Sequence, residues 1–510
     1  MVKKIISLIL ILMMAVGMFP GCSSDDKTAS KETAKKKNAA YGGTLRLACV
    51  SYDTLNPIVT KHASVLDFLS LIYEGLFVLK EDQSVEGVLA DSYTVSSNNT
   101  VYTIKLKENI RFHNGKIFTS ADVVATLNYM ALYSDRHSEF MKYIAGYSAD
   151  GNSGVVIKLN SSKSDFMNNF DFPILPAGLK SDDFMASNPE FVPNGTGIYE
   201  YDTIVARRNI ILKANDDWHG GDKKAYIDNV NVEILSDEDT IISAFDSGIV
   251  DALTKSWRGF GELELTSSMY RTFENEQNRF SFIGINCQNE NFDTSSERKG
   301  ILNSIDSKKI AHDIMLGHAV PANSPIREKA YYNNPEDGES KEETVKDNEK
   351  FKTVDCHLLY NSDSKTKTRL AVAVKQQLES SGYAITLDGK PLSTYSDMVA
   401  LGKYELYIGE VMLTGSCDMQ FMFSSPMSGI CNYDDGEFRA LVTNLDMASG
   451  SEEKKQSWQS FERHYRDSAV QVPLYFSNKA CFLNKRIRGK LTPNLSVPYY
   501  GIENMYIEMQ

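Results

Sequence analysis

Residues 354–410 read VDCHLLYNSDSKTKTRLAVAVKQQLESSGYAITLDGKPLSTYSDMVALGKYELYIGE, and the pattern of this stretch predicts the fold class. Its middle part places Leu370, Val374 and Leu378 at i, i+4 and i+8, which predicts a helix with one apolar face. Gly382 and Gly402 follow the two helical segments and are suited to end them. The predicted elements are a strand at 354–360, a helix at 365–380, a strand at 383–387, a helix at 394–401 and a strand at 404–408. Because strands connected through helices lie parallel, the stretch predicts a parallel sheet with helices on its faces.

The carboxyl ends of these strands are where the sequence predicts ligand contacts. Sheets of this kind bind ligands beyond the carboxyl ends of their strands, so the segment from Ile408 to Asp418 is the first candidate. Glu410 stands at the end of the third strand and supplies a carboxylate there. Asp418 supplies a second carboxylate, but it is equally suited to cap the segment that follows it. Four methionines in this region, at positions 412, 419, 422 and 427, are expected to pack in the core or to form a soft pocket wall.

The N-terminus has the pattern of an export signal. Lys3 and Lys4 precede a continuous apolar stretch at 5–19, which is shorter than the roughly 20 apolar residues of a membrane span. Gly21 and Cys22 follow and resemble a lipobox, in which the Cys22 thiol receives a lipid once residues 1–21 have been removed. Residues 22–40 are rich in Ser, Lys and Ala, which predicts a flexible tether. The alternative is an ordinary cleaved signal in which Cys22 has no special role.

The composition is that of an acidic globular chain of 510 residues. Apolar residues make up 42% of it and aromatic residues 10%, and the formal net charge is −13. The negative charge argues against nucleic acid or an anionic lipid surface as the main partner. The seven cysteines, Cys22 included, form no CxxC pair, which argues against zinc ribbons and thioredoxin-like motifs. After export, Cys417 and Cys431 are the favoured pair for a disulfide, and free buried thiols are the alternative.

Local signals elsewhere predict further turns and helices. Asn114-Gly115 predicts the turn of a hairpin. A capping box at 119–122 predicts the start of a helix. Ser307 is predicted to cap a helix that Gly317 ends. The charged run at 333–352 contains few apolar residues and is predicted to be a surface loop.

Enzyme motifs are missing from the sequence. There is no GxSxG, HExxH or GxxxxGK[ST] motif, and the glycines at 195 and 197 are too close together for a phosphate loop. His312 and His318 fall on different helix faces, so they do not predict a metal pair. We therefore expect no catalytic residue, no metal site and no cofactor. A secreted hydrolase stays an alternative, since catalytic groups can be far apart in sequence.

Several short segments occur in an order that resembles one protein family. They are GGTL at 42–45, TLNP at 54–57, IYEGLF at 72–77, RFHNGK at 111–116, TSADV at 119–123, NGTGIY at 194–199, NDDWHG at 215–220, FDSGIVD at 245–251 and IDSK at 305–308. From about residue 41 to the C-terminus the chain resembles the bacterial extracellular solute-binding proteins of family 5. This peptide/nickel-type family includes the dipeptide- and oligopeptide-binding proteins.

The resemblance implies an α/β fold with two lobes, like that of the periplasmic binding proteins, and an additional small α+β domain. The ligand would lie in a cleft between the lobes. The implied division is lobe I at 41–75, 192–282 and 475–510, the small domain at 76–191, and lobe II at 283–474. Two crossings between the lobes are expected, near 283–286 and 472–476, because a receptor that closes around its solute needs hinges.

The resemblance also implies how the ligand is held. In dipeptide-type members, an Asp in the loop after the third strand binds the α-ammonium of the peptide. Here that position falls near Gly415, and the Trp that accompanies the Asp in those members is missing. Glu410 or Asp418 would then supply the anion, since a buried carboxylate needs a cationic partner.

Other contacts are expected on positional grounds alone. Trp257 and Arg258 would lie beside the cleft, where Arg258 would bind a carboxylate of the ligand. The alternative is a packed Trp and a surface Arg. Asn56 and Tyr499 are further candidates.

These expectations combine into one function. The chain would be the substrate-binding component of an ABC importer that captures short peptides or similar small polar solutes. Its partners would be a membrane permease and ATPase subunits, and it would be a monomer held to the outer face of the cell membrane through Cys22. A signalling-peptide receptor, an extracytoplasmic chaperone or a member that binds nickel or another metal complex are alternatives on the same fold.

Overall fold

The computed structural model describes residues 41–185, 188–205, 208–221, 224–256, 269–333, 354–422, 432–433 and 435–508. Its strands in chain order are β1 (Thr44–Val50), β2 (Phe77–Leu79), β3 (Val85–Gly87), β4 (Ala90–Val95), β5 (Val101–Leu106), β6 (Ile144–Asp150), β7 (Gly154–Leu159), β8 (Tyr199–Val205), β9 (Asn209–Ala214), β10 (Asn229–Leu235), β11 (Ala252–Ser256), β12 (Tyr270–Ile285), β13 (Ala319–Pro321), β14 (Asp355–Asn361), β15 (Ala384–Lys390), β16 (Leu406–Met412), β17 (Gln471–Asn484), β18 (Ile487–Arg488) and β19 (Tyr506–Ile507). Its α-helices are α1 (Ala63–Leu69), α2 (Ser120–Tyr133), α3 (Ser138–Met141), α4 (Glu238–Asp246), α5 (Ser295–Asn303), α6 (Ser307–Asp313), α7 (Lys365–Ser380), α8 (Leu392–Ala400), α9 (Gly436–Met447) and α10 (Gly450–Ser468).

The first sheet has the strand order β1-β10-β9-β8. β1 pairs in parallel with β10, and the other pairs are antiparallel. Leu45, Leu47 and Cys49 of β1 are buried, and the residues between them are partly exposed. Such alternation is expected of a strand with one face on a core.

A second sheet, β4-β5-β7-β6, is antiparallel throughout and forms the centre of the small α+β domain. The predicted Asn-Gly turn is confirmed, because Arg111 and Ile117 form a β-bridge around Gly115, whose φ is +82°. The predicted capping box is confirmed as well. Thr119 and Asp122 bond each other's backbone at the start of α2.

The third sheet is mixed and has the order β11-β17-β12-β16-β14-β15, with β13 beside β17. Neighbouring residues point to opposite faces, so Leu358 and Leu359 enter different apolar clusters. α7 covers one face with the predicted stripe that includes Val374, and α9 and α10 cover the other with Phe438 and Phe461. Cores on both faces make this the rigid centre of its part of the chain.

The predicted β-α-β-α-β unit is confirmed in β14, α7, β15, α8 and β16, but two details differ. β14 pairs in parallel with β15 and β16, whereas β16 pairs antiparallel with β12, so the sheet is mixed rather than wholly parallel. The third strand was predicted at 404–408 and is observed at Leu406–Met412. Its pairing with β12 continues to Met412, which places Glu410 within the strand instead of in a loop after it.

The prediction that Ser307 caps a helix is wrong by one residue. Asp306 is the cap of α6, and its carboxylate accepts the backbone N–H of Lys309 at 2.9 Å. Ser307 instead donates to the carbonyl of Pro473 at 2.7 Å. The helix was also predicted to end at Gly317, but α6 ends at Asp313, four residues before Gly317, whose φ is +79°.

Cys417 is a free, buried thiol, so of the two alternatives the structure shows the unpaired one. Its Sγ contacts the side-chain amide of Gln83 at 3.7 Å. The predicted partner, Cys431, lies outside the described residues, as do residues 334–352 of the predicted surface loop and Met427.

The domain boundaries at 282/283 and 474/475 stay predictions. Both fall within strands that continue across them, β12 and β17, and Ile283 pairs with Val472 there. Within the described ranges, no helix combines the length and the apolar character that crossing a membrane requires.

Candidate ligand-binding cleft

Two adjoining cavities form one cleft in the described part of the chain. The larger has a volume of about 830 Å³ and the smaller about 570 Å³. The same five residues line both, so the cavities meet at one wall: Ala63, Asp67, Arg279, Lys479 and Tyr499. Each cavity is as large as a typical small-molecule site, which holds about 300–1,000 Å³. The joined cleft therefore has room for an extended ligand.

Asp67 is one charged centre of this shared wall. It lies in α1 among apolar residues, and only 8% of its surface is exposed. Lys479 Nζ lies 2.5 Å from its Oδ1, and the Thr254 hydroxyl donates to its Oδ2. An ammonium and a hydroxyl therefore satisfy the buried carboxylate, and the Asp67–Lys479 pair adds no net charge to the cleft.

Tyr499 lies in the same wall and is 4% exposed. Burial raises the pKa of its hydroxyl well above the ordinary value, and the nearby Asp67 carboxylate adds to this effect. Burial therefore favours the neutral hydroxyl, which is hydrogen-bonded to the Thr254 side chain, and the residue lines both cavities.

Arg279 is the second charged centre of the wall. Its Nη1 donates to Glu410 Oε1 at 2.9 Å across the β12–β16 pair. Lys367 Nζ, from α7, lies 2.9 Å from the other oxygen of Glu410, as an ion pair without good hydrogen-bond geometry. The Arg279 side chain is 24% exposed, whereas those of Glu410 and Lys367 are 11% and 8% exposed. Arg279 thus faces the cleft, and the other two lie behind it.

A hydrogen-bond network around Glu74 forms another part of the larger cavity. Glu74 accepts from Trp218 Nε1 at 3.0 Å, from the Thr196 hydroxyl at 2.8 Å and contacts His219 Nε2 at 2.7 Å. The network joins three of the segments that carried the family resemblance, at 72–77, 194–199 and 215–220. A Cβ on Gly195 would lie 2.0 Å from the carbonyl oxygen of Ile72, so this close approach requires glycine.

Burial shifts the pKa of two groups that line the larger cavity, His137 and Asp171. Burial lowers the pKa of His137 to about 4, and the neighbouring Arg136 guanidinium adds to the shift. Burial raises the pKa of Asp171, while the Ser496 hydroxyl, which donates to it, opposes the rise. Burial thus favours the uncharged form of both groups, and the Arg136 guanidinium lines the same cavity.

The two predicted carboxylates occupy positions that differ from the expectation. Neither Glu410 nor Asp418 lines either cavity. Asp418 accepts the hydroxyl of Tyr143 at 2.6 Å and the Lys163 ammonium at 3.0 Å. It also accepts the N–H of Gln420 at 2.9 Å, which is the capping role given as its alternative. Both carboxylates are already paired with cations from this chain, and that either binds a ligand directly stays a prediction.

Asn56 and Tyr499 have different environments. Asn56 is fully buried, donates to the carbonyl of Asp183 at 2.8 Å and accepts the N–H of Ile58 at 3.0 Å. These bonds give it a turn-forming role. Tyr499 is the predicted candidate that lines the cleft, although its contact with a ligand stays a prediction.

Trp257, Arg258 and Cys22 lie outside the described residues. β11, which ends at Ser256, contributes Leu253, Thr254 and Lys255 to the smaller cavity. The methionines divide between the two expected roles. Met412 is 50% exposed and lines the larger cavity, whereas Met419 and Met422 are buried in the core.

Sequence reasoning missed Asp67, Arg279 and Lys479. A signal existed for Asp67, because a charged residue within the apolar run at 63–73 rarely becomes buried without a function or a partner. Arg279 and Lys479 lie on long strands with no distinguishing pattern. In the described ranges, no three His, Cys, Asp or Glu side chains are grouped as ligands for a metal ion.

Residues 84–428 match the family described as bacterial extracellular solute-binding proteins, family 5 Middle. The oligopeptide-binding protein AppA of Bacillus subtilis is 22% identical over an alignment of 556 residues, which covers 98% of this chain and 98% of that protein. The nickel-binding protein NikA of Staphylococcus aureus is 28% identical over 272 residues, and this match covers 51% of each chain.

Solved structures share the fold. The ABC transporter substrate-binding protein CtaP of Listeria monocytogenes has a TM-score of 0.74 at 19% identity, covering 92% of this chain and 100% of that one. AppA of Bacillus subtilis in complex with a nonapeptide has a TM-score of 0.62 at 18% identity, covering 92% and 99%. At such identities the likeness shows the fold, and it confirms the predicted two-lobed α/β architecture.

Proposed function

The chain belongs to the bacterial extracellular solute-binding proteins of family 5, and we propose that it captures short peptides for an ABC importer. The observation that carries the proposal is the joined cleft, whose shared wall contains the Asp67–Lys479 pair, Arg279 and Tyr499. Hydrogen-bonding groups next to apolar surface suit a peptide, which combines a polar backbone with varied side chains. The full-length relative AppA, named for oligopeptide binding, supports the same ligand class.

Family membership places the protein outside the cytoplasm, as a substrate-binding component. We propose that the loaded protein docks as a monomer on a membrane permease that cytoplasmic ATPases energise. Its contribution would then be binding and delivery without a catalytic step.

Titration calorimetry with free tetrapeptide pools tests the ligand class. We expect binders with dissociation constants in the micromolar range or below, which corresponds to about −8 kcal/mol or stronger. Nickel with histidine, and neutral oligosaccharides, are the comparison ligands. If these bind and no peptide pool does, the peptide assignment is wrong and the nickel-type alternative or another solute replaces it.

We also propose that a lipid on Cys22 anchors the protein, with residues 22–40 as the tether. The basis is Gly21-Cys22 after the apolar stretch at 5–19. Cys22→Ala should move the protein from the membrane fraction to the medium, because a single lipidated residue would be its link to the bilayer. Cys431→Ala is the control and should stay in the membrane fraction. Retention of Cys22→Ala after a carbonate wash would contradict the anchor.

A further inference from the structure

Arg279 stands where the two cavities meet and where the strand pairing is interrupted. β12 pairs with β17 at Glu276 and again at Phe280, and the residues between them are out of register. Arg279 lies in this irregular part and lines both cavities. Exposure still alternates along this part of β12, so Gln277 and Arg279 lie on the same face, and both line the smaller cavity. The guanidinium therefore reaches the cleft wall at its centre.

Glu410 contacts this guanidinium on the side that faces away from the cleft. It bonds one nitrogen of Arg279 at 2.9 Å and pairs with the Lys367 ammonium on its other side. The three side chains together carry one positive charge. A guanidinium has five N–H donors in a planar fork, so the contact with Glu410 leaves donors for a second acceptor. A cation that is fixed in position and retains donor capacity is prepared for an anion.

The other polar groups of the smaller cavity point to the same ligand chemistry. Lys479 is paired with Asp67, and Lys255 with Glu238, so these pairs add no net charge. Gln277 lines this cavity, and its side-chain nitrogen is buried without a hydrogen-bond partner among the described residues.

One carboxylate, Asp363, also lines the smaller cavity. It is exposed at the end of β14, and its Oδ2 accepts the N–H of Leu392 at 2.8 Å. The Gln277 side-chain nitrogen, in contrast, has no partner among the described residues. Because this nitrogen is a donor, it calls for an acceptor from the ligand.

We infer that the junction of the two cavities is a carboxylate-binding subsite in which Arg279 is the ion partner, Gln277 a second donor and Glu410 a positioning residue. The inference rests on the proposed function for the class of solute. It changes the ligand group expected at this wall from an ammonium, bound by Glu410, to a carboxylate, bound by Arg279. The ligand would present a carboxylate to this wall, and Glu410 would not meet the ligand's ammonium. A free C-terminus and an acidic side chain are the two possible sources of the carboxylate in a peptide.

Titration calorimetry with one tetrapeptide in four forms separates these possibilities. The forms, made for a binder from the pools, are the free peptide, the C-terminal amide, the N-acetyl peptide and an amide with one Glu side chain. We expect amidation to weaken binding to the wild type about 30-fold or more, the effect of removing one partner of a desolvated ion pair. Recovery with the Glu-containing amide would assign the subsite to acidic side chains, and no recovery would assign it to the C-terminus.

Variants link this effect to Arg279. In Arg279→Gln, the free peptide and its amide should bind with equal affinity, which a merely structural loss would not produce. Glu410→Gln should leave the effect of N-acetylation as it is in the wild type. Lys213→Gln, an exposed lysine on β9, is the matched control and should bind as the wild type does. Thermal unfolding of each variant establishes that it is folded.

Two results would overturn the inference: equal binding of acid and amide by the wild type, or an undiminished amide penalty in Arg279→Gln. If no peptide binds the wild type, the proposed function fails, and citrate and succinate become the probes. Arg279→Gln should then weaken their binding about 30-fold or more. Equal affinity of wild type and variant for these carboxylates, or binding of neither, would overturn the subsite itself.

Discussion

Lys163 is an ammonium group enclosed between two carboxylates. Only 3% of the residue is exposed, and its Nζ lies 2.7 Å from Asp446 and 3.0 Å from Asp418. The hydroxyl of Tyr143 donates to the other oxygen of Asp418. Lys163 and Tyr143 come from the small α+β domain, whereas both carboxylates come from the part of the chain built on the large sheet. One ammonium thus bonds two carboxylates across a buried contact between these two parts of the chain.

Replacing Lys163 with Met should lower the free energy of unfolding by about 3–5 kcal/mol at pH 7, because it leaves buried carboxylates without their cation. The loss should be smaller at pH 5. Burial already raises the pKa of Asp446, with the Lys163 ammonium opposing the rise. Without that ammonium the folded chain holds the proton to a higher pH than the unfolded chain does. The stability of the variant therefore falls as the pH rises from the pKa of Asp446 in the unfolded chain to its higher pKa in the folded chain.

Chemical denaturation of both proteins at pH 5 and pH 7 measures this difference. Lys158→Met is the matched control, since Lys158 is an exposed lysine of the same domain. It should change the free energy of unfolding by no more than about 0.5 kcal/mol at either pH. A Lys163→Met variant that is as stable as this control, or equally destabilised at both pH values, would contradict the account.

The C-terminal end of α9 is satisfied by another part of the molecule. The last carbonyls of a helix have no partners within it, and here they accept from the small domain. The Ser164 hydroxyl donates to Leu445 O at 2.8 Å, the Ser162 hydroxyl to Asp446 O at 3.0 Å, and Asn99 Nδ2 to Ala448 O at 2.9 Å. No signal near α9 in the sequence could identify these donors, because they lie more than 280 residues away along the chain.

Elements with a local cause could be predicted, and elements that depend on distant pairing could not. The apolar stripe of α7 and the capping box of α2 are encoded within one or two turns, and both were confirmed. β16 was predicted too short because its last residues are strand only by pairing with β12. The same extension changed the site, since it moved Glu410 from a loop into a strand beside Arg279.

The location of the cleft could be predicted from the sequence, whereas most of the residues in contact there could not. The carboxyl end of the parallel unit contributes residues 361 and 363 to the smaller cavity, as the topology required. The charged pairs on its wall depend on which residues of α1, β12 and β17 meet, and those residues are separated by hundreds of positions. Tyr499 was found through the family resemblance, whereas residue patterns alone gave no reason to choose Arg279.

β12 and β17 are the two longest strands of the described chain and lie side by side at the centre of the third sheet. One end of this pair is flanked by β11, and the other by β16 and β13. Between Glu276 and Phe280 the register of the pair is broken. A break of this kind has fewer cross-strand bonds to resist bending, so we expect the lobes to rotate about it when they close.

Spin labels across the cleft test that rotation. Lys61 is exposed just before α1 and lines neither cavity, and Ser362 lies beside two residues that line the smaller cavity after β14. Labels at Lys61→Cys and Ser362→Cys should come closer when a tetrapeptide binds, because closure brings α1 and β14 together. The background needs Cys22→Ser and Cys431→Ser. The other thiols should resist labelling, since burial raises the pKa of Cys49 to about 12 and that of Cys287 to about 11.

The control pair lies within one lobe and separates closure from any other response to the ligand. Labels at Lys61→Cys and Asp228→Cys both report on the unit that contains the first sheet, and Asp228 is exposed just before β10. Their distance should stay the same with and without peptide. Because a bound peptide can shift the lobes only by contacting the closed state better than the open one, the change across the cleft should saturate at the same peptide concentration as the calorimetric binding curve. A saturated peptide complex in which neither distance changes would show that this receptor binds without closing.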